Sequence, residues 1–348
     1  MAGGLHASDR RERLNLTAAL GLVEIPRRRP LSPTYGDRVP RPRGAGRALA
    51  GRYVLVDQIG LGGMGSVWRA WDRRTRTFVA AKVLGHHGAG LLLRFVHEQS
   101  VRLRHAHVVT PTSWAADDDV VVLTMDLVRG GSVESLLARH GPLPTEYAAV
   151  LLDQTLQALA AVHAAGLVHR DVKPANLLLE VTGTGRPHVR LADFGVAAPM
   201  HRPRLTPWPG PIGTDGYMAP EQSRGAAPDP RQDVYAAGVV AAEMLTALAP
   251  RGPTRPDGAA LGPLGPLIGA MTEPDPDRRT PSAAAARTAL RDAGLPAGAP
   301  WQRRPRPPDV TDTLGDPDLV ASPVLVAALG ALVLLVLLGL VAVTLLRT

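Results

Sequence analysis

Cysteine is absent from this chain, and lysine and asparagine each occur only twice. The lack of cysteine excludes disulfides, thiolate metal ligands and a cysteine nucleophile, and it is consistent with a reducing compartment. Among 39 basic residues only Lys82 and Lys173 are lysines, and Asn176 lies three residues after the second. Because a compact ammonium group differs from a planar guanidinium, a lysine kept in an arginine-rich chain indicates a geometry that arginine cannot supply.

The first residues contain no apolar core of the kind that a secretory signal needs, so we expect the folded part to stay on the side of synthesis. The 348 residues, 45% of them hydrophobic, can bury a full core and leave additional segments. Residues 1–52 hold eleven arginines against four acidic residues, which accounts for much of the net charge of +8. Proline and glycine interrupt this stretch, so we interpret it as a basic, disordered extension and do not expect nucleic acid as a partner.

The first part of the folded region has a β pattern. Residues 53–84 contain short apolar runs separated by a glycine cluster and a polar turn, which predict a hairpin followed by a third strand. Helical periodicity follows at 91–103, and residues 118–127 predict a further hairpin and strand. We therefore predict a β-rich N-lobe over residues 53–128.

The second part of the folded region is predominantly helical. Long Ala- and Leu-rich segments predict helices at 135–139, 145–166, 231–248 and 282–293. Residues 250–266 are too rich in proline and glycine for a regular helix. The prediction is an α+β fold of two lobes, in which a helical C-lobe covers residues 129–294.

The C-terminal run 324–346 continues for 23 residues without a charged side chain. A helix of that length spans roughly 34 Å, enough to cross a bilayer core. A buried core helix is the alternative, but a run apolar on all sides that follows the globular part favours one transmembrane helix after a Pro-rich juxtamembrane linker at 295–323. Because Arg303, Arg304 and Arg306 precede the run, we expect a single-pass cell-membrane protein whose folded domain is cytoplasmic.

A glycine cluster lies between the first two predicted strands. Glycines there let the backbone close over a polyphosphate with its N–H groups pointing inward. Alone the pattern is weak, because a glycine-rich hairpin is often only a turn. The strand that follows argues against a dinucleotide-binding fold, which requires a helix at that place. The cluster comprises Gly60, Gly62, Gly63 and Gly65, and Val67 follows it.

The remaining polar residues fit phosphoryl transfer. Lys82 lies close enough along the chain to reach phosphates under the glycine cluster, and Glu98 is the only acidic residue between it and Asp117. Asp171, Asn176 and Asp193 supply oxygen ligands of the kind that Mg²⁺ prefers together with phosphate. In phosphoryl transfer the protein mainly positions groups and neutralises charge, which these residue types can do.

Taken together, these motifs resemble a bacterial, membrane-anchored, eukaryotic-like (Hanks-type) serine/threonine protein kinase, over residues 53–294. The pieces occur in that family's order, and such a combination is far more specific than any single motif. They are the glycine cluster, Lys82, Glu98, the stretch 169–176, the Asp-Phe-Gly at 193–195, the segment 213–221 and the stretch 233–238.

The resemblance implies a role for each catalytic residue. Asp171 would orient or deprotonate the substrate hydroxyl, and Lys173 would steady the γ-phosphate. Asn176 and Asp193 would bind Mg²⁺, with Mn²⁺ as an alternative ion. Lys82 would bind the α- and β-phosphates of ATP and pair with Glu98. The substrates would be proteins.

The resemblance also implies how ATP is bound. Met125 would be the gatekeeper before an adenine-binding segment at 126–128. The residues expected to contact the nucleotide are Gly60, Gly62, Gly63, Gly65, Val67, Ala80, Lys82, Met125, Asp126 and Val128.

Regulation and architecture follow from the same resemblance. Arg170 is typical of kinases switched by a phosphate in the activation loop, and Thr206 is the only hydroxyl-bearing residue between Gly195 and Thr214. We therefore predict that Thr206 is the autophosphorylation site. Two further elements are interpreted as architecture: a Glu221–Arg279 ion pair, and Asp233 as a brace for the catalytic loop.

Three functional hypotheses remain open from the sequence. The first is an active Ser/Thr protein kinase tethered to the membrane, for which homodimerisation would favour autophosphorylation in trans. The second is a membrane-tethered pseudokinase scaffold. The stretch from Glu98 to His105, which is shorter than the usual run in the family, favours this hypothesis weakly, and the complete catalytic set opposes it. The third is a small-molecule phosphotransferase, which the segment 213–221 disfavours.

Overall fold

The fold was analysed in a computed structural model of the chain. It describes residues 48–62, 65–84, 103–117, 120–193, 198–199, 213–250, 258–294 and 298–315. Several predictions concern residues outside these ranges: the helix over most of 91–103, Gly63, Glu98, Thr206 and the span 324–346.

The N-lobe is a five-stranded antiparallel sheet. Its order is β1-β2-β3-β5-β4. The predicted hairpin and third strand are confirmed. The strands are β1 (Tyr53–Gly62), β2 (Gly65–Asp72), β3 (Thr77–Leu84), β4 (Pro111–Asp117) and β5 (Val120–Met125).

The second hairpin begins earlier than the pattern at 118–127 predicts. Its first strand, β4, starts at Pro111 and is polar along much of its length. Because β4 is an edge strand, it can begin with a proline that donates no ladder hydrogen bond. The edge strand also lacks the continuous apolar run by which the buried β5 is recognised.

The C-lobe is helical, as predicted, and two helices form its centre. Its helices are α1 (Val133–His140), α2 (Thr145–Ala164), α3 (Pro220–Ser223), α4 (Pro230–Thr246), α5 (Gly265–Met271) and α6 (Ala283–Asp292). Helices α2 and α4 are apolar around most of their circumference, and their buried residues form one core with those of α5 and α6. This is the pattern of helices enclosed by other elements.

The helix starts follow local capping chemistry. Ser132 and Ser135 form a reciprocal capping box at the start of α1. Asp229 caps α4 by accepting from the Arg231 N–H, and Pro230 occupies the first helical position, where its missing N–H costs no hydrogen bond. Ser282 caps α6.

Between α2 and α3 the chain forms two small antiparallel strand pairs beside the site. Strand β6 (Leu167–Val168) pairs with β9 (Ala198–Pro199), and β7 (Leu177–Leu179) pairs with β8 (Val189–Leu191). A short 3-10 helix, Pro174–Asn176, precedes β7. These pairings bring the stretch 169–176 next to the residues that follow β8.

The Pro- and Gly-rich stretch is not wholly irregular. A 3-10 segment, Gly258–Leu264, is interrupted at Gly262, where φ is 55°, and α5 follows directly. The expectation that no regular helix forms is therefore corrected at its end. Leu267, Ile268 and Met271 face the core and anchor α5 despite its Gly-Pro start.

The predicted juxtamembrane linker is packed where the structure describes it. Trp301 and Val310 are both 0% exposed, and they join the core of the C-lobe. Over 298–315 the segment is thus part of the domain rather than a free spacer, because these two side chains bury apolar surface. In the described part of the chain, no helix has the length and apolar character needed to span a membrane.

Candidate active site

The register of the N-lobe sheet aligns the predicted nucleotide residues across four strands. Gly60 of β1 lies opposite Val67 of β2, and Val67 lies opposite Lys82 of β3. Ala80, two residues before Lys82, is opposite Met125 at the end of β5. Because paired residues and residues two apart share a face of a sheet, Val67, Ala80, Lys82 and Met125 lie on one face.

Lys82 of the N-lobe contacts Asp193, which lies two residues after β8. Its Nζ lies 2.5 Å from Oδ1 of Asp193. The Lys82 side chain is 13% exposed and that of Asp193 is 46% exposed, so the pair stands at an opening rather than in the core. Asp193 has a φ of 64°, which is uncommon for a non-glycine residue and is often found at functional sites.

Three polar groups surround one carboxylate at the catalytic loop. Asp171 accepts hydrogen bonds from the Asn176 amide at 3.0 Å and from the Thr214 hydroxyl at 2.8 Å. The ammonium of Lys173 lies 2.9 Å from Asp171 and donates to the Thr214 hydroxyl at 2.7 Å. The segment after the activation loop is thereby joined to the predicted base and its neighbouring lysine.

A buried aspartate supports the backbone of the catalytic loop, as predicted. Asp233 is 0% exposed and accepts from the backbone N–H groups of His169 and Arg170 at 2.8 and 2.7 Å. His163 of α2 lies 2.8 Å from the same carboxylate. The His169 ring links the Asp171 N–H to the carbonyl of Ala192, next to Asp193.

The predicted metal ligands have the donor set that Mg²⁺ requires. The amide nitrogen of Asn176 donates to Asp171, at the backbone oxygen and at the side chain, so its amide oxygen is the atom left to serve as a ligand. Asp193 adds a carboxylate. The described residues contain no group of three or more His, Cys, Asp or Glu that could hold a metal. One carboxylate and one amide nevertheless fit Mg²⁺, which takes its other ligands from phosphates and water.

The Asp126 carboxylate accepts a hydrogen bond from Arg190 at 2.8 Å, while the Asp126 side chain is 56% exposed. Arg190 of β8 also donates to the Val108 carbonyl at 3.1 Å and contacts Glu180, the residue after β7, at 3.2 Å. The sequence analysis overlooked Arg190. The only available signal was an arginine three residues before Asp193, which does not reveal its partners.

The segment after the activation loop is anchored in the C-lobe by buried polar contacts. The Tyr217 hydroxyl donates to Glu243 of α4 at 2.6 Å. Burial, together with this contact, raises the pKa of Tyr217, and burial also raises the pKa of Glu243. The Glu221–Arg279 ion pair is present, with contacts of 2.7 and 3.0 Å. The segment that would receive a protein substrate is therefore rigidly supported.

Comparison with protein families matches residues 53–257 to the protein kinase domain. Three curated relatives are each 38% identical to this chain. The kinase PkaA of Streptomyces coelicolor matches over 222 residues, which are 59% of this chain and 41% of the relative. For PknL of Mycobacterium tuberculosis the match covers 207 residues, 58% of this chain and 51% of the relative. For PknA of the same species it covers 215 residues, 59% and 49%.

The chain thus spans about half or less of the curated relatives that it matches. All three are named as serine/threonine-protein kinases. The chain belongs to the protein kinase domain family, and its relatives support a bacterial, Hanks-type serine/threonine protein kinase.

Proposed function

We propose that this chain is an active serine/threonine protein kinase that uses ATP and Mg²⁺. The single observation that carries the proposal is the cluster in which Asp171, Lys173 and Thr214 lie within 2.9 Å of one another. A scaffold that only bound nucleotide would not need a carboxylate, an ammonium and a hydroxyl joined in this way.

Each residue contributes positioning or charge. Asp171 would accept the proton of the substrate hydroxyl. The hydroxyl oxygen then bonds to the γ-phosphorus of ATP as the bond between that phosphorus and the β-γ bridging oxygen breaks. Lys173 and Lys82 would stabilise negative charge on the phosphate oxygens. Asn176 and Asp193 are the ligands that would bind Mg²⁺, which supplies charge neutralisation at those oxygens when it is present.

The pseudokinase alternative is not favoured by the comparisons, since the relatives are described as kinases. It is separated from the proposal by activity of the full chain with labelled ATP, Mg²⁺ and a general protein substrate. Asp171→Asn should reduce the rate by about 10² to 10⁴-fold, the usual contribution of a general base. Lys82→Met should also abolish label.

Asp277→Asn is the matched control, because it also removes one carboxylate but from an ion pair in which Asp277 is 85% exposed. It should leave the rate unchanged. Binding of ATP by a wild-type chain that never transfers phosphate would reject the enzyme in favour of the scaffold.

Autophosphorylation would regulate the enzyme through Thr206. Arg170 is buried beside the catalytic loop, where its backbone N–H donates to Asp233 and its carbonyl accepts from Gln222 at 2.9 Å. A phosphate on Thr206 would pair with the Arg170 guanidinium. Mass spectrometry of active enzyme should find phosphate on Thr206, and active enzyme phosphorylated only elsewhere would reject this site.

Membrane tethering is part of the proposal. The uncharged run 324–346 supports a single-pass helix that places the kinase domain at the cytoplasmic face of the cell membrane. Confinement at a surface raises the local concentration of kinase domains, so homodimerisation would favour autophosphorylation in trans.

A further inference from the structure

The chain beyond the C-lobe returns along both lobes. It is first anchored on the C-lobe at Trp301, whose ring meets that of Tyr147 edge to face with centroids 5.2 Å apart. The Trp301 indole N–H donates to the carbonyl of Thr184 at 3.2 Å, and Gln302 donates to the same oxygen at 3.1 Å. This anchor touches only the C-lobe.

The next anchor is a backbone pairing at the turn between β7 and β8. Val310 and Gly183 exchange two hydrogen bonds of 3.0 Å, and the Val310 carbonyl also accepts from Thr182 at 3.2 Å. The Val310 side chain lies close against Gly130, since a Cβ added to Gly130 would be 2.6 Å from Cγ1 of Val310. The segment thus lies directly on the chain that leaves the hinge, residues 126–129.

The hinge itself is bound from the same side. The backbone N–H and hydroxyl of Thr313 both donate to the Arg129 carbonyl, at 2.8 and 3.0 Å. In return, the Arg129 guanidinium lies 2.7 Å from the carboxylate of Asp312 and donates to the carbonyl of Gly315 at 2.9 Å.

The last contact reaches the N-lobe. Arg69 of β2 is only 1% exposed, and its guanidinium binds Asp57 at 2.6 Å and the Gly315 carbonyl at 2.8 Å. The Gly315 oxygen therefore accepts from two guanidinium groups, Arg69 in the N-lobe and Arg129 at the end of the hinge. Hydrogen bonds from charged donors are stronger than neutral ones, so this junction is a firm link between the lobes.

We propose that residues 309–315 form a C-terminal clasp that fixes the relative orientation of the two lobes, with Arg69 and Thr313 as positioning residues for phosphoryl transfer. Lys82 belongs to the N-lobe and Asp193 to the C-lobe, so their 2.5 Å contact depends on that orientation. Releasing the clasp reduces the fraction of molecules in the nucleotide-binding orientation, and apparent ATP affinity falls in proportion. The catalytic part of this inference rests on the proposed function.

The test uses the full chain with Thr313→Pro, which removes both donors to the Arg129 carbonyl. Gln302→Ala is the matched control, because it removes a contact of the same segment that involves only the C-lobe. Hydrogen exchange of the Gly183 amide reports whether the clasp has opened. The second variant is Val310→Asp, which places a charge at a buried position. It is used if Thr313→Pro prevents folding or leaves the exchange of the Gly183 amide slow.

In the opened variant the dissociation constant and the KM for ATP should rise roughly tenfold, while kcat changes much less. The effect combined with Arg69→Met should be smaller than the sum of the two, because both remove contacts of the same clasp, Thr313 with the Arg129 carbonyl and Arg69 with the Gly315 oxygen. An opened clasp with ATP affinity equal to that of Gln302→Ala would overturn the inference. Nucleotide binding needs no phosphoryl transfer, so a wild-type chain without kinase activity would reject the proposed function and leave this test intact.

Discussion

Thr214 is the residue at which the catalytic loop meets the segment that would receive a protein substrate. Its hydroxyl accepts from Lys173 and donates to Asp171. We expect Thr214→Val to lower kcat by about 10 to 100-fold, since the lost hydrogen bond to the Asp171 carboxylate contributes about 1.5–3 kcal/mol, whereas Lys173 keeps its direct contact with Asp171. The KM for ATP should change little, because Lys82 and the glycine cluster are untouched. Steady-state kinetics with a protein substrate measures both constants.

Thr214→Ser is the conservative control for this prediction. Serine keeps the hydroxyl that both contacts use, so most of kcat should return. A serine variant as slow as the valine variant would show that the hydroxyl is not sufficient for the rate, and the hydrogen-bonded cluster would lose its catalytic meaning.

Several residues of this site could be predicted from their residue type alone. Lys82 and Lys173 were identifiable because the chain otherwise uses arginine, and Asn176 because asparagine is nearly absent. Arg190 and Arg69 were not identifiable, because their partners include backbone carbonyls far away in the sequence. A carbonyl is present in every residue, so it leaves no mark in composition or spacing.

At the scale of elements, the approach of α4 to α5 depends on one glycine. A Cβ at Gly238 would lie 2.8 Å from the Met271 Cβ and 2.9 Å from a methyl of Thr272. Alanine would gain about 1 kcal/mol in helix propensity, but overpacking a core typically costs about 1–3 kcal/mol. We therefore expect Gly238→Ala to lower the free energy of unfolding, as measured by urea denaturation.

Ala284→Gly calibrates that balance. Ala284 is exposed on α6, so this variant measures helix propensity without packing and should cost about 1 kcal/mol. A Gly238→Ala variant more stable than the wild type would show that α5 moves away at little cost.

Helix prediction succeeded where packing and propensity agree. The four apolar segments of the C-lobe became α1, α2, α4 and α6 with ends shifted by a few residues. It failed for α5, which begins with Gly265 and Pro266 and is formed because its apolar residues complete the core. Tertiary packing there overrides a weak local preference.

At the scale of the whole molecule, the clasp and the uncharged run constrain where the kinase domain can lie. Nine Cα to Cα steps separate Gly315 from Val324, a reach of about 30 Å when fully extended. If the run spans a membrane, the hinge side of the domain stays near the membrane surface. Full-length protein should then sediment with membranes, whereas Leu335→Arg with Leu338→Arg should release it, since each arginine at a helix centre costs about 2.5–3.5 kcal/mol.

Leu335→Phe with Leu338→Phe is the control for this fractionation, because phenylalanine keeps the run apolar. Wild-type protein that remains in the supernatant after high-speed centrifugation of lysed cells would reject the anchor.

The sequence by itself determined the family and the lobe order, and it predicts which residues would contact phosphate, because phosphoryl transfer demands particular side chains in a particular order. The tertiary structure alone decided which lobes the C-terminal segment joins and which residues hold the hinge. The bonds from Arg129 and Arg69 to Gly315 cross 186 and 246 residues. Such contacts follow from how packed elements bring distant backbone together, and no local periodicity encodes them.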